Sequence, residues 1–270
     1  MIFSTYHAHT SFCDGSSTAE EMIRAAVACG CPEIGFSGHS YIQGEDWCMT
    51  EEGSVEYIKT LHELREKYKN QIKVYIGIEH DTESVISRES YDYVIGSVHS
   101  VLHNGKSEAI DLSFDNFARI VEESYGGDVY ALCEDYFEAV SKVYDVTKCD
   151  IIGHFDLVTK FIDLMPFDTA HPRYVAAWNR ALDILLKTPA VFEVNTGAMS
   201  RGYRKEPYPA TDILERIIAA GKPIVVNSDS HSASTVDFGL CEIADRLIQK
   251  GAVVLTSMED ILKITRGKNN

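Results

Sequence analysis

The sequence has no run of lysine or arginine, and its 25 basic residues stand against 41 acidic ones in 270, a formal net charge of −16. Phosphate-backbone binding rests on clustered basic side chains, so nucleic acid is not expected as a partner. Long apolar stretches are missing too. Nothing approaches the roughly 20 residues that span a bilayer, and the opening MIFSTYHAHT lacks the basic start and apolar core of a secretory leader. No membrane association is expected, and a cytoplasmic location is. The seven cysteines, at 13, 29, 31, 48, 133, 149 and 241, contain no CxxC pair, which predicts free thiols rather than a disulfide framework. Also absent is any low-complexity tract, fixed-period repeat or shift of composition, so residues 1–270 are read as a single domain.

What is present is a globular composition, 45% hydrophobic and 24% charged, in which short β-branched or aromatic runs alternate with stretches of helical period. Strands are predicted near 2–6, 33–37, 73–79, 92–98, 150–153, 190–195 and 223–228, with an eighth candidate near 252–256. Helices are predicted over 18–29, 54–69, 128–147, 172–187, 210–220 and 234–250; Ser17 or Thr18 and Ser54 are the N-cap candidates, and Gly30, Gly221 and Gly251 sit where helices should stop. Repeated βα units of this kind predict a largely parallel sheet closing into a barrel. The longest connection, about 99 to 149, is expected to contribute to a substrate-covering excursion, and the loop 40–53 offers Tyr41 and Trp47 as aromatic surfaces for a ligand ring.

His7 and His9 lie two apart at the end of the first predicted strand, so the strand period points both imidazoles to one side. An isolated HxH is a weak signal. It gains weight from what stands at the other strand ends: His39, Glu79, His99, His154, and Asp229 with His231. Asp14 occupies the turn after the first strand, while the strand 190–195 carries Glu193 and Asn195, candidates to support the ligands or touch substrate. In a barrel these carboxyl ends share one face, where such folds place their active sites. Of the ten histidines, His62, His80, His103 and His171 read as surface or packing residues, with His103 the one whose loop could also reach substrate.

Six imidazoles and three carboxylates exceed the three protein ligands of a lone catalytic zinc. A cluster of divalent ions is expected instead, with zinc, manganese or iron all compatible with this donor set. Glu79, roughly central among the ligands, is the natural bridge. Three divalent ions would bring six positive charges against the three carboxylates Asp14, Glu79 and Asp229, making the pocket locally cationic in an acidic protein. Such a site suits a phosphoryl group, because bound ions act at contact while the long-range charge of the chain is screened beyond roughly 10 Å.

The motifs HxH at 7–9, CDGSS at 13–17, GH at 38–39, GIE at 77–79, GSVH at 96–99, GHFD at 153–156, EVNTG at 193–197 and SDSH at 228–231 together resemble the polymerase and histidinol phosphatase (PHP) superfamily. Within it, DGSS, the GHFD context and EVNTGAMSRGYRKEPYP look most like histidinol-phosphate phosphatases. The resemblance implies a distorted (βα)7 TIM-like barrel with three divalent metal ions. His7, His9, Glu79 and Asp229 would hold one ion, Glu79, His99 and His154 a second, and Asp14, His39 and His231 a third. Many members have histidine where Asp14 stands, and a carboxylate there favours a harder ion such as manganese or iron.

The expected activity is phosphomonoester hydrolysis, most readily of L-histidinol phosphate in histidine biosynthesis, by attack of a metal-activated hydroxide on phosphorus. Glu79, Asp229 and His231 are the expected catalytic residues, and Arg201 and Arg204 in SRGYR the expected phosphate contacts, since guanidinium matches phosphate as a bidentate fork. Asp156 is read either as an orienting partner of His154 or as a helix cap. Three alternatives remain open at this point: another PHP phosphoesterase acting on a nucleotide or phosphotyrosine, an amidohydrolase-type barrel, and a metal-binding protein without turnover.

Overall fold

The computed structural model describes residues 4–267. Six parallel strands form the central sheet: β1 (Glu33–Phe36), β2 (Lys73–Asp81), β3 (Tyr93–Ser97), β6 (Ile151–Ile152), β7 (Val191–Asn195) and β8 (Ile224–Asn227), hydrogen-bonded in that order. Registers such as Ile78 with Val94 and Val194 with Val226 place apolar residue beside apolar residue. These strands are buried on both faces, which is why they read as continuous hydrophobic runs.

The sheet curls into a half-barrel whose two edges reach one N-terminal segment. Thr5 makes an isolated parallel bridge to Ile34, and Ala8 makes another to Ser230. The Gly35 and His9 amides donate across these contacts to the Thr5 and Ser230 carbonyls, both at 2.8 Å. The predicted strand 2–6 is thus a pair of single bridges, and its residues 2 and 3 lie outside the described residues. Around 252–256 the chain also makes one bridge, Val254 to Ile224, rather than a strand.

Helices α1 (Ala19–Ala28), α2 (Glu51–Tyr68), α4 (Val129–Thr147), α5 (Pro172–Leu185), α7 (Thr211–Ala219) and α8 (Leu240–Gln249) match the periodic segments. Thr18 caps α1 in a reciprocal box with Glu21. The N-cap of α2 is Thr50 rather than Ser54: its hydroxyl accepts from the Gly53 amide, and the helix begins at Glu51, well before its first buried residue, Tyr57. Between β3 and α4 the long connection forms a hairpin, β4 (Ser100–His103) with β5 (Lys106–Ala109), followed by the short α3 (Phe114–Arg119). A four-residue α6 (Gly197–Ser200) follows β7.

One element absent from the sequence reading is α9 (Met258–Arg266). Met258 and Ile261 bury against Tyr6, Tyr93, Ile95, Ile151, Val191 and Val225 inside the curl of the sheet. The anchor of its last turn is the buried Asp150, whose carboxylate accepts from Arg266 (2.8 and 3.0 Å), Thr265 (2.9 Å), Arg88 (2.8 Å) and the Val94 amide (3.0 Å). Burial works against ionisation there, but Arg266 and Arg88 outweigh it and hold the carboxyl below its ordinary range. Replacing one member of a buried ion pair strands its partners, so Asp150→Ala is expected to cost about 3–5 kcal/mol of stability. Urea unfolding checks this, and a loss below about 1 kcal/mol, the size of an exposed pair, would contradict it.

Candidate metal centre

The carboxyl ends of the strands and the loops after them bring all nine candidate ligands together. His7 and His9 project from the N-terminal segment and are wholly buried. His39 follows β1 and bridges to Glu79, which lies on β2; His99, His154 and the pair Asp229 and His231 follow β3, β6 and β8. Asp229 has a positive φ of 46°, a conformation uncommon for a residue with a side chain, and it occupies the turn out of β8. A side chain at Gly197 would come within 2.6 Å of the Asp229 carboxylate, so glycine is required there for the two loops to meet.

Glu79 is the hub. Its Oε2 lies 3.2 Å from His7 Nε2, 3.4 Å from His9 Nε2 and 3.0 Å from His39 Nδ1. Its Oε1 lies 2.9 Å from His154 Nε2 and 3.4 Å from His99 Nε2. Asp229 Oδ1 completes the first group at 3.2 Å from His9 Nε2 and 3.6 Å from His7 Nε2. A third group surrounds Asp14, with His231 Nε2 at 3.0 Å, His39 Nε2 at 3.6 Å and His9 Nδ1 at 3.6 Å.

This donor set fits a divalent cation. His7 Nε2, His9 Nε2 and Glu79 Oε2 are buried, lie close together, and have no hydrogen-bond partner among the described residues. Orphaned buried polar atoms are costly unless something else satisfies them. Ligand atoms about 2.1 Å from one ion in a tetrahedral array lie about 3.4 Å apart, the spacing found here. Two further clusters of compatible donors are His9, Asp14, His39 with His231, and His39, Glu79 with His99.

The far nitrogens of the rings are held in turn. His7 Nδ1 lies 2.7 Å from Glu193 Oε1, and that carboxylate also accepts from the His154 amide and from the Asn195 and Asn227 side chains. His99 Nδ1 lies 2.9 Å from Asp81 Oδ2. Such partners fix ring orientation and tautomer. Glu193 had been singled out from sequence; Asp81 had not, although a strand running two residues past Glu79 puts it on the same side. Because outer partners of this kind contribute about 10–100-fold to metal affinity or activity, Glu193→Gln is expected to lower metal affinity by that factor. Competition with a chromogenic chelator measures it, and unaltered affinity would remove Glu193 from the ligand support.

Charge coupling in the metal-free fold is strong. Burial, the largest influence on His7, lowers its pKa, but Glu193, Glu79 and Asp229 outweigh it and hold the ring well above its ordinary value. His39, likewise opposed by burial, is raised to about 9 by Glu79 and Asp14. His9 moves the other way, to about 3, through burial and the neighbouring His231 and His39. Glu79 and Asp229 are held well below the carboxylate range by the surrounding imidazoles and, for Asp229, by Arg201, against burial.

A cavity of about 270 Å³ opens above the cluster, its walls adding Asp111, Lys160, Arg201 and Tyr203 to the ligands. Arg201 donates from Nη2 to Asp229 Oδ2 at 3.2 Å, and its Nη1 lies 2.7 Å from His231 Nδ1. Lys160 reaches Asp111 Oδ2 at 3.2 Å. An adjoining hollow of about 200 Å³ is lined by Trp47, Asp111, Leu112 and Lys160 beside His39 and His99. Trp47 packs edge-on against His39 with ring centroids 4.8 Å apart. Tyr41 is not among the residues lining either hollow.

Two expectations are corrected, and the loop histidine His103 keeps its packing role. Arg204 turns away from the cavity: its guanidinium lies over the Tyr208 ring, contacts the Thr159 hydroxyl and sits 3.8 Å from Asp156. Asp156 accepts from the Ala210 amide at 3.0 Å, and neither bonds His154 nor caps a helix through its side chain. The buried carboxylate takes Arg204 as its counter-charge, which removes both from direct contact with a ligand. His103 pairs with Asp135 at 2.7 Å and packs with its ring tilted against Tyr125, outside the cavity. The histidines read as packing residues behave so: His62 is exposed, His80 bonds the Ser84 carbonyl, and His171 caps α5.

By fold and site this is an α/β protein built around a candidate centre for divalent metal. The PHP domain family matches residues 5–197, and the chain belongs to that family. A relative from Deinococcus radiodurans named "Probable histidinol-phosphatase" is 29% identical over 265 residues, covering 93% of this chain and 94% of the relative. The histidinol-phosphatase of Bacillus subtilis is 24% identical over 257 residues, 86% of this chain and 94% of its own. Among solved structures, a Listeria monocytogenes protein provisionally described as a histidinol phosphatase superposes with a TM-score of 0.79 at 22% identity, over 88% of this chain and 99% of that one. The histidinol phosphate phosphatase of Lactococcus lactis, crystallised with zinc, L-histidinol and phosphate, superposes with a TM-score of 0.68 at 23% identity, over 94% and 95%. At these identities the two structures establish the shared fold. No helix among the described residues is long and apolar enough to cross a membrane.

Proposed function

We propose that this chain is a metal-dependent phosphomonoesterase that hydrolyses L-histidinol phosphate to L-histidinol and phosphate, working in the cytoplasm as a single-domain histidine-biosynthetic enzyme. The observation that carries the reading is the convergence of His7 Nε2, His9 Nε2 and Glu79 Oε2, without hydrogen-bond partners among the described residues, beside Asp229 and below a cavity walled by Arg201. The names of the full-length relatives and the zinc, histidinol and phosphate in the Lactococcus protein support the substrate and the metal. The bridges at Thr5 and Ala8 support closure of the sheet as a distorted (βα)7 barrel.

Three divalent ions are assigned to the cluster: one to His7, His9, Glu79 and Asp229, one to Glu79, His99 and His154, and one to Asp14, His39 and His231. When bound, such ions polarise phosphoryl oxygens and lower the pKa of water toward about 7, making a nucleophile available at neutral pH. The protein side chains do the rest. Glu79 separates the imidazoles into two sets by presenting one oxygen to each. Arg201 holds Asp229 by Oδ2, leaving Oδ1 directed at His9 and His7. Its guanidinium and the Lys160 ammonium are the cations placed to receive phosphate oxygens, and His231 is oriented at Nδ1 by Arg201 so that Nε2 faces Asp14. The hollow between Trp47 and Asp111 suits the leaving alcohol, offering an aromatic edge to an imidazole and a carboxylate to an ammonium.

The test is metal analysis of the purified protein followed by phosphate release from histidinol phosphate, nucleoside monophosphates, a phosphotyrosine peptide, sugar phosphates and an aryl phosphate. A preference for histidinol phosphate of 10²-fold or more in kcat/KM, about 2.7 kcal/mol of differential transition-state binding, is expected. Equal slow rates on every ester, or metal without turnover, would reject the assignment.

A further inference from the structure

At the C-terminal end of α1, two thiols face each other. Cys29 is the C-cap of α1 and Cys31 leads into β1, with Gly30 between them at φ +80°. That left-handed glycine folds the chain back so that the two sulfur atoms lie 3.4 Å apart. The Cys29 and Cys31 amides are tied into the helix end by bonds to the Ala25 and Ala26 carbonyls, which holds the turn in place. Closing a disulfide requires the sulfurs to approach from 3.4 Å to about 2.05 Å.

We infer that Cys29 and Cys31 form a reversible dithiol–disulfide site, oxidised by low-molecular-weight disulfides of the glutathione class. Cys29 is partly exposed while Cys31 is buried, which orders the chemistry. The Cys29 thiolate attacks the small disulfide, forming a mixed disulfide and expelling one thiolate. Cys31, after losing its proton, attacks the Cys29 sulfur and expels the second. Two protein thiols are oxidised to one disulfide, one small disulfide is reduced to two thiols, and the two protons leave with them. Burial pushes the Cys31 thiol up, so the second step is the slow one. A disulfide closed across a single residue is strained, and strained disulfides are the readily reduced ones. Under strongly reducing conditions the pair stays as thiols, and it responds when the small-molecule pool becomes oxidised.

The experiment uses the metal-loaded full chain, incubated with oxidised and reduced glutathione at graded ratios, alkylated and cleaved after glutamate. Residues 22–33, bounded by Glu21 and Glu33, then carry Cys29 and Cys31 and no other cysteine. At the oxidising end most of this peptide is expected to be unalkylated and lighter by two hydrogens, and restored by dithiothreitol. Cys31→Ser is expected to leave Cys29 as a mixed disulfide with glutathione, and Cys29→Ser to leave Cys31 alkylatable after unfolding. Both thiols remaining fully alkylatable at every ratio would overturn the proposal. So would recovery of Cys31 joined to Cys241, the third thiol whose charge bears on Cys31.

Discussion

Glu79→Gln is expected to lower kcat/KM by at least about 10³-fold, roughly 4 kcal/mol, and to release at least one equivalent of bound metal. The substitution keeps the shape of the side chain, so packing on β2 is preserved while the central charge disappears. Glu79 alone meets five imidazoles, His7, His9 and His39 through one oxygen and His99 and His154 through the other. An amide has only one acceptor oxygen and places N–H groups against the other set, so it cannot serve both. Metal analysis and turnover on the same preparation check the two halves of the expectation. Wild-type activity with full metal content would remove Glu79 from the centre of the site and, with it, the division of ligands proposed here.

Stripping the metal with a chelator is expected to abolish turnover and lower the melting temperature, and re-addition of zinc or manganese to restore both. A ligand at 100 times its dissociation constant stabilises the native state by about 2.7 kcal/mol, which for a chain of this size corresponds to about 5–11 °C. The pH dependence has a definite sense. In the metal-free fold His39 is raised to about 9, opposed by burial but driven by Glu79 and Asp14, whereas an unfolded histidine titrates near 6.5. A histidine raised in this way stabilises the stripped protein fully below the unfolded value, and that contribution fades as pH climbs through about 9. Metal loading runs in the opposite sense, since it requires neutral imidazoles and strengthens as protons leave. The gap between loaded and stripped melting temperatures is therefore expected to widen from pH 6.5 to pH 9. A gap that stays constant over that window would contradict the protonation pattern of the cluster.

The candidate ligands were legible because most of them stand near the end of a short hydrophobic run, where a polar side chain takes over. His7 and His9 share a face by the period of two, and the same rule applied one step past Glu79 would have found Asp81. Helix α9 was missed because only Met258 and Ile261 bury within it, too short a stripe to distinguish from a polar tail. Arg201 and Arg204, three apart in one loop, looked equivalent. They differ because Arg201 meets Asp229 and His231 at the cavity, while the buried carboxylate of Asp156 takes Arg204. Trp47 was offered by its loop as an aromatic surface, whereas Lys160 and Asp111 belong to loops whose lengths and turns carry no period, so nothing local marked them as walls of the site.

The parallel α/β order and nine candidate metal donors were legible in the sequence alone, since periodicity and residue chemistry are local properties. The tertiary structure decided which donors meet, which arginine lines the cavity, and which thiols touch. Those outcomes depend on how a curled sheet returns its last strand to its first segment, bringing Asp229 and His231 to His7 and His9 across more than 200 residues. Distances of 3–4 Å between such residues arise only from the packing of the whole chain, because charge and hydrogen bonding act over the space the fold creates rather than along the covalent order.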